Sequence, residues 1–260
     1  MPSLPPIVFH SFRPLLPYLP AWHLQEALHR IQLEARRESG THTDLLLLLQ
    51  HRPVYTAGRR QTEPELDDER RRLNALGADF VPASRGGQLT YHGPGQIVGY
   101  PLLDLSRYTP VMGARDYVCR MQKTLELHLK EAHGLALSPS EHTGVFLDPR
   151  TKIASIGVQV RHRLTSHGFA MNITHEPCGW FDEVVACGLD GVKAGSIEGA
   201  TGKKVSIEDE IPGLVERFGR LYERDMVPLD LSESNPTTKA ILALEKEASG
   251  MGKWATAPRK

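Results

Sequence analysis

The chain has 260 residues, and its 31 lysines and arginines balance its 31 aspartates and glutamates. This length suits one large domain or two small ones, and the balanced charge gives no sign of a nucleic-acid-binding surface. The leucine run at 45–49 is too short to cross a membrane. The cysteine count of 3 is odd and too low for a disulfide framework, which indicates a reducing compartment.

Hydrophobic periodicity divides the chain into strands and helices. We expect strands at 7–13, 44–50, 89–91, 96–104, 143–147, 152–161 and 166–173, and a loop at 51–60. Helices are expected at 21–38, 65–76, 113–133, 208–224 and 237–248. Because short turns join several of the strands, the sheet should be mostly antiparallel. The predicted fold is a mixed α/β domain of the α+β class over 1–230, followed by a C-terminal helix and a disordered tail over 231–260.

The stretch Arg85–Gln96 contains four glycines and one proline within twelve residues. Glycines cluster where the backbone takes special angles or where another group approaches it closely. Two interpretations stay open at this point. In the first, the stretch forms tight hairpin turns in a core sheet. In the second, its glycine backbone lines a functional site at the ends of the strands.

The three cysteines have different local settings. Cys119 lies inside an amphipathic helix, where plain packing is expected, and Cys178 lies in a predicted turn. Cys187 ends an apolar run and precedes Gly188, an arrangement that leaves the sulfur open to a substrate. A buried apolar role is nevertheless the commoner one for such a cysteine, and a disulfide or shared metal ion joining Cys178 to Cys187 is the less favoured alternative.

Lys152 opens a predicted strand, and His92 and His167 each precede a glycine at a strand edge. A lysine at the start of a strand is usually just a solvated end. A histidine at a strand edge is usually a core or turn residue whose hydrogen bonds are satisfied. Lys152 becomes an acid–base candidate if it faces Cys187, because a nearby ammonium stabilises a thiolate. The sequence has no His-Glu-x-x-His, no Cys-x-x-Cys and no phosphate-binding Gly-x-x-x-x-Gly-Lys-Ser/Thr loop. We therefore expect no metal ion and no other cofactor.

Taken together and in this order, several stretches resemble the lipoyl(octanoyl) transferase family. They are His51-Arg-Pro-Val-Tyr-Thr-Ala-Gly-Arg59, Arg85-Gly-Gly-Gln-Leu-Thr-Tyr-His-Gly-Pro-Gly-Gln96 with its continuation to Pro101, Thr143-Gly-Val145 with Lys152-Ile-Ala-Ser-Ile-Gly-Val158, His167-Gly-Phe-Ala-Met-Asn172, and Ala186-Cys-Gly-Leu189. The Arg85–Gln96 motif is highly specific. The chain departs from the family at Ala186, where proline is frequent, at a tryptophan-bearing insertion over 178–180, and in a tail past 227. None of these departures removes a functional residue.

The resemblance implies the fold of the biotin and lipoate protein ligases. It implies octanoyl-acyl carrier protein as donor and the target lysine of a lipoyl domain as acceptor, with no nucleic acid and no membrane span. Cys187 would be the acyl-accepting nucleophile and Lys152 its acid–base partner. The implied substrate-binding residues are Arg85, Gly86, Gly87, Tyr91, His92, Gly93, Ile153, Ala154, Ser155, Ile156, Gly157, His167, Gly168, Ala170 and Gly188.

Two alternatives remain for the function. One is an ATP-dependent lipoate or biotin protein ligase, against which the missing nucleotide loop argues. The other is a non-catalytic module that binds an acyl carrier or a lipoyl domain, against which the presence of both Cys187 and Lys152 argues. The proline-rich start and basic tail favour a mitochondrial matrix protein of a eukaryote; a bacterial member would be cytoplasmic.

Overall fold

Two β-sheets frame the molecule in a computed structural model that describes residues 4–59, 63–185, 188–189 and 191–259. The large sheet has the strand order β10-β8-β9-β6-β2-β1-β11, with β7 paired to β8, and the small sheet has the order β4-β3-β5. The strands are β1 (Ile7–Ser11), β2 (Asp44–Leu49), β3 (Val54–Ala57), β4 (Asp79–Pro82), β5 (Thr90–His92), β6 (Gln96–Leu102), β7 (Val145–Asp148), β8 (Thr151–Arg161), β9 (Leu164–Asn172), β10 (Lys193–Ala194) and β11 (Met226–Pro228).

Antiparallel pairs form the centre of the large sheet, where β6 lies between β2 and β9, and β9 pairs with β8. Parallel pairs lie at its two ends, where β1 pairs with β2 and β11, and β10 pairs with β8. The helices are α1 (Tyr18–Ser39), α2 (Glu63–Ala75), α3 (Ala114–His133), α4 (Glu176–Phe181), α5 (Ile197–Thr201), α6 (Ile207–Tyr222) and α7 (Pro236–Ser249). The predicted mixed, mostly antiparallel sheet with packed helices is confirmed.

The β2 strand shows why the large sheet is covered on both sides. All six of its residues are buried, and successive side chains of a strand point to opposite faces. Leu46 and Leu48 belong to the core beneath α3 and α6. Leu45, Leu47 and Leu49 belong to a second core beneath α1 and α7. A run of leucines therefore fits a strand between two helical layers better than a helix.

Two predicted segments take a different local structure. The predicted loop at 51–60 contains β3, whose four residues are all buried; a strand this short has too few residues to show a period. The predicted turn around Cys178 is the short helix α4, with Pro177 in its first turn, a position that proline tolerates. The strands β10 and β11 and the helix α5 were not predicted, because each has five residues or fewer.

The glycine-rich stretch does not form a hairpin. Its strand β5 pairs with β3 in the small sheet, whereas the next strand, β6, pairs with β2 and β9 in the large sheet. The segment 93–95 therefore carries the chain from one sheet to the other. The hairpin interpretation is wrong, and the stretch lies where the two sheets meet.

Cys119 is exposed, so its predicted packing role is wrong. The buried stripe of α3 runs through Tyr117, Met121 and Leu125, and position 119 lies about half a turn away, on the opposite face of the helix. The C-terminal segment also makes defined contacts. On α7, Ile241 and Leu244 share a core with α1, and the Arg259 N–H donates to the Leu76 carbonyl over 2.9 Å. The domain boundary at residue 230 and the disorder of the tail stay predictions.

Within the described residues, none of the helices has the length and apolar character needed to span a bilayer.

Candidate active site

Two neighbouring cavities lie on the same face of the large sheet as α1. The larger, which we call the lysine cavity, has a volume of about 220 Å³. It is lined by Gln96, Lys152, Ile153, Ser155, Ala170, Asn172, Phe181, Asp182, Val184, Val185, Leu189, Gly191, Val192, Lys193 and Ala194. The smaller, which we call the histidine cavity, has a volume of about 50 Å³ and is lined by Tyr18, Arg85, Gly86, Gly87, Gln88, Thr90, His92, Val98, Tyr100, Ser155, Ile156, Gly157, His167, Gly168, Phe169 and Ala170.

The two cavities share Ser155 and Ala170 as wall residues. These residues are direct partners across the β8–β9 pair, as are Gly157 and Gly168 two positions further along. The predicted period of two along β8 places Ser155 and Gly157 on this face, and Ile156 and Val158 pack against the opposite core. Small side chains thus form one continuous floor beneath both cavities.

Lys152 lies at the outer end of this floor, and its backbone is fixed by the strand that follows residue 191. The Gly195 N–H donates to the Lys152 carbonyl over 2.8 Å, and Ala194 pairs with Lys152 in the parallel β8–β10 ladder. The Lys152 ammonium lies over the Phe146 ring, 5.4 Å from its centroid. The Lys152 side chain also packs directly against Gly144. A Cβ added at Gly144 would lie only 2.5 Å from Lys152 Cε.

The start of the glycine-rich stretch fits between two other glycines. A Cβ at Gly58 would lie 2.3 Å from the Gly87 carbonyl oxygen, and a Cβ at Gly157 would lie 3.2 Å from the Gly86 carbonyl oxygen. Real Cβ atoms do not approach a carbonyl oxygen as closely as 2.3 Å. The loop therefore reaches the histidine cavity because glycines on both sides allow its backbone to come close.

Arg85 anchors this loop from inside the protein. Its side chain is 7% exposed, and its guanidinium donates to the Thr56 hydroxyl over 2.6 Å and to the Gly86 carbonyl over 3.0 Å. Thr56 belongs to β3, so Arg85 ties the loop to the small sheet. The positive charge of Arg85 also faces the histidines of the cavity, with consequences for their protonation.

A chain of buried hydrogen bonds joins His92 to the strand beside Lys152. His92 Nδ1 lies 2.8 Å from the Gln96 side-chain oxygen, and the Gln96 amide donates to the Asn172 side-chain oxygen over 2.9 Å. The Asn172 amide donates to the Gly195 carbonyl over 2.9 Å. Because the Gln96 oxygen can only accept, His92 Nδ1 carries the proton, and Nε2 is the acceptor of the neutral ring.

The histidines of this region are neutral at physiological pH. Burial, reinforced by His51 and Arg85, holds the pKa of His92 well below its usual value. Burial likewise lowers the pKa of His167 to about 3, with Arg85 as the next cause, and that of His51 to about 4. A neutral, buried ring can accept or donate a hydrogen bond to a substrate, but it does not supply a positive charge.

His167 has a backbone conformation that its residue type rarely adopts. Its φ is +57° within β9, a left-handed value that is uncommon outside glycine. Its N–H donates to the Gln25 side-chain oxygen over 2.7 Å, and its Nε2 lies 3.1 Å from the Ser84 hydroxyl. Unusual backbone angles of this kind cluster at functional sites, where the surroundings hold them in place.

Most of the predicted substrate-binding residues come together around the two cavities. Those that line neither cavity are Tyr91, Gly93, Ala154 and Gly188. Tyr91 instead stacks on Trp180, with ring centroids 5.3 Å apart, and Gly93 leaves room for its hydroxyl. Ala154 lies in the core beneath α3. Gly188 has a φ of +65° and lies against the Gln88 side chain, which lines the histidine cavity.

Several lining residues were not predicted as part of the site. Gln88, Gln96 and Asn172 lie within the stretches that carry the family resemblance, but their roles depend on partners on other strands. Tyr18 and Tyr100 come from α1 and β6, and neither was proposed as a site residue. A polar residue within a buried strand, as Gln96 and Asn172 are, was the signal available in the sequence.

The predicted nucleophile, Cys187, lies outside the described residues. On either side of it, Val184, Val185 and Leu189 line the lysine cavity. Cys178 is a buried free thiol, so the alternative of a disulfide with Cys187 is not supported. Burial raises the pKa of Cys178 to about 11, with Asp182 adding to the effect. Cys178 is therefore a neutral thiol at physiological pH and a poor nucleophile.

The sequence matches the family model of the lipoyl protein ligase A/B catalytic domain over residues 17–219. An octanoyltransferase of Koribacter versatilis is 33% identical over 217 residues, which cover 81% of this chain and 85% of that protein. The chain belongs to the octanoyltransferase family. The mitochondrial octanoyl-[acyl-carrier-protein]:protein N-octanoyltransferase of Danio rerio is 40% identical over 66% of this chain and 75% of that protein.

Solved lipoate protein ligases share the fold. A putative lipoate protein ligase from T. acidophilum with bound lipoic acid superposes with a TM-score of 0.65 and 16% identity, covering 95% of this chain and 97% of that one. A lipoate-protein ligase A bound with ATP gives a TM-score of 0.64 at 15% identity, with coverage of 96% and 97%. At this level of identity the likeness establishes the fold of this octanoyltransferase family member, and its chemistry is argued from its own site.

Proposed function

We propose that this protein transfers an octanoyl group from octanoyl-acyl carrier protein to the target lysine of a lipoyl domain, through a thioester on Cys187. The observation that carries the proposal is the lysine cavity. Lys152 lines it together with Val185 and Leu189, which flank position 187 two residues away on each side. The cavity continues across Ser155 and Ala170 toward the glycine-rich loop.

The first step exchanges one thioester for another. Lys152 takes the Cys187 proton, and the thiolate attacks the donor carbonyl. A C–S bond to Cys187 forms, the bond to the carrier's sulfur breaks, and the departing thiolate takes the proton back from the Lys152 ammonium. Bonds of the same type are formed and broken, so this step is close to thermoneutral.

The second step delivers the acyl group to an amine. The acceptor lysine attacks the carbonyl, a C–N bond forms, and the bond to Cys187 breaks. Lys152 takes the proton that the amine loses and returns it to the Cys187 sulfur. Because an amide is more stable than a thioester, the reaction runs downhill without ATP. In both steps the oxyanion needs N–H donors, for which the backbone beside Gly188 is our candidate.

The floor of the two cavities suits a straight acyl chain. Ser155, Gly157, Gly168 and Ala170 carry small or no side chains, so the chain has room to lie along the sheet toward His92. Each methylene buried there contributes about 0.8 kcal/mol to the binding free energy, so the affinity of the enzyme would depend on the length of the acyl chain. The neutral state of His92 and His167 keeps this end of the site free of imidazolium charge.

We further propose that the protein works in mitochondria. The support is the level of identity to two vertebrate mitochondrial octanoyltransferases, 40% for Danio rerio and 39% for Xenopus tropicalis. Bacterial octanoyltransferases are 33–37% identical. Immunodetection in fractionated cells of the source organism tests it, and a signal confined to the cytosolic fraction would contradict it.

The test of the function is transfer without nucleotide. Purified protein is incubated with octanoyl-acyl carrier protein and a lipoyl domain in the absence of ATP, and the mass of the lipoyl domain is followed. We expect one octanoyl group to be added by the wild type and by Lys204→Ala, an exposed lysine away from both cavities. We expect no transfer by Lys152→Ala.

Two outcomes would contradict the proposal. Transfer that requires ATP and releases pyrophosphate would indicate a ligase. Binding of octanoyl-acyl carrier protein with no transfer under any condition would indicate a non-catalytic module. Transfer at the wild-type rate by Lys152→Ala would leave the reaction in place but remove Lys152 from it.

A further inference from the structure

A second cluster of reactive side chains lies on the other face of the large sheet, between α3 and α6. His128 and His133 come from α3, and Glu210 comes from the first turn of α6. The ligand atoms of the three side chains lie within 4.8 Å of one another. None of the three lines either cavity of the candidate active site, so the mechanism above does not use them.

Both imidazoles point at a single carboxylate oxygen. His128 Nε2 lies 2.6 Å and His133 Nε2 lies 2.8 Å from the same atom, Glu210 Oε2. The lone pair of a deprotonated imidazole nitrogen points along the direction that its N–H bond takes. The two rings are therefore already aimed at one common point, as they would be for a shared metal ion.

The charge of this cluster calls for a cation. Glu210 is 6% exposed, and its salt-bridge partners among the described residues are the two histidines. A buried carboxylate of this kind is compensated by a proton on a histidine or by a metal ion.

We propose that His128, His133 and Glu210 form a binding site for Zn²⁺. Two imidazole nitrogens and one carboxylate are usual zinc ligands, with metal–ligand distances of about 2.0–2.2 Å. A zinc ion near the point where the rings converge needs the Glu210 oxygen to withdraw by about 2 Å, which the flexible glutamate side chain allows. His133 is 12% exposed, so water can reach the fourth position.

The site would join the C-terminal turn of α3 to the N-terminal turn of α6. These two helices pack against each other over the core, so bound zinc would stabilise the folded state by mass action. His128 Nδ1 is buried without a hydrogen-bond partner. A metal-bound histidine normally donates that N–H, and losing such a bond lowers affinity by roughly 10–100-fold. We therefore expect a site of moderate affinity.

The test is metal binding by the metal-free full chain, carried out in a Cys119→Ser/Cys187→Ser background so that neither the exposed Cys119 thiol nor Cys187 is a ligand. Zinc is titrated calorimetrically, and cobalt(II) is titrated while its visible absorption is recorded. We expect one equivalent of each metal, a cobalt spectrum of a four-coordinate site with nitrogen and oxygen ligands, and an increase of Tm with zinc.

The variants locate the metal. His133→Asn and Glu210→Gln should each lose the equivalent and the increase of Tm, whereas His23→Asn, on the exposed side of α1, should retain both. If Glu210→Gln does not fold, His133→Asn, which lies at the solvent edge, still tests whether zinc binds at this cluster. Failure of the wild type to bind an equivalent, or binding unchanged in both variants, would overturn the site. The readout is independent of octanoyl transfer.

Discussion

At the scale of single residues, Gly144 determines where the Lys152 ammonium can lie. Its φ is +130°, and an added Cβ would lie 2.5 Å from Lys152 Cε, 2.6 Å from the Ala154 carbonyl oxygen and 3.1 Å from Lys152 Nζ. The Lys152 side chain therefore occupies space that is open only because residue 144 has no side chain. A glycine in this position contributes to the site without touching the substrate.

We predict that Gly144→Ala displaces Lys152 and lowers octanoyl transfer by about 100-fold, the scale expected for a misplacement of about 1 Å. The matched control is Gly134→Ala, which also replaces a glycine of positive φ but has no heavy atom within 4 Å of the new Cβ. It should cost about 1–2 kcal/mol of stability, because alanine is strained in the left-handed conformation, and leave transfer unchanged. Equal activities of the two variants at equal folded fractions would contradict this role of Gly144.

The sequence was most informative for residues whose role is local. Lys152, His92, His167 and the glycines could be singled out because their neighbours along the chain are unusual. Gln96 and Asn172 were not singled out: a polar residue in a buried strand is a weak signal, and each acts through a partner on another strand. Tyr91 was predicted to line the pocket, and it stacks on Trp180 instead. Cys119 was misread because its place inside the predicted helix was taken as packing, although it lies about half a turn from the buried stripe.

At the scale of elements, the glycine-rich loop depends on strands that flank it in space. Gly58, just after β3, and Gly157, within β8, leave room for the loop backbone. The segment at 51–60 was predicted as a loop, so this contact could not be foreseen. The long strand β6 was found from its apolar run. In the small sheet, β5 was predicted at 89–91, whereas β3 and β4 were missed because each has only four residues.

We predict that Gly58→Ala pushes the loop away from the histidine cavity, because the new Cβ would lie 2.3 Å from the Gly87 carbonyl oxygen. Transfer should fall by at least about tenfold, and the Tm should fall as well. The control is Gly179→Ala in α4, which has no heavy atom within 4 Å of the new Cβ and should be neutral or slightly stabilising. An active, fully stable Gly58→Ala protein would refute the close packing of this loop.

At the scale of the whole molecule, the large sheet separates two regions with different chemistry. One face carries the two cavities with their neutral histidines, and the other carries α3 and α6 with the Glu210 cluster. The overall sheet class was predictable from short connections and alternating patterns. The order of the strands was not, because it depends on the parallel pairs that β1 and β10 make at the two ends of the sheet.

The buried neutral histidines make the stability of the protein dependent on pH. The pKa of His51 falls to about 4 in the folded state because of burial, compared with about 6.5 in an unfolded chain. Below pH 6.5 the unfolded chain therefore binds a proton that the folded chain does not, so acid favours unfolding. His51 stabilises the folded state fully above about pH 6.5, and the loss is complete near pH 4.

We predict a decrease in the free energy of unfolding between about pH 6.5 and pH 4, to which His51 alone contributes roughly 3 kcal/mol. His51→Gln should be less stable at neutral pH, because His51 Nδ1 contacts the Leu16 carbonyl and its Nε2 contacts the Tyr100 hydroxyl. It should also lose less stability in acid. Urea unfolding at a series of pH values measures both, and identical pH slopes in the two proteins would contradict the assignment.

The central claim is that an octanoyl group passes through a thioester on Cys187 with Lys152 as the proton carrier. The intact mass of the protein after incubation with octanoyl-acyl carrier protein alone tests it most directly. The account predicts that the wild type gains the mass of one octanoyl group, that neutral hydroxylamine removes it, and that Cys187→Ser does not form this labile adduct. A hydroxylamine-sensitive octanoyl group on Cys187→Ser, or none on an active wild type, would contradict it.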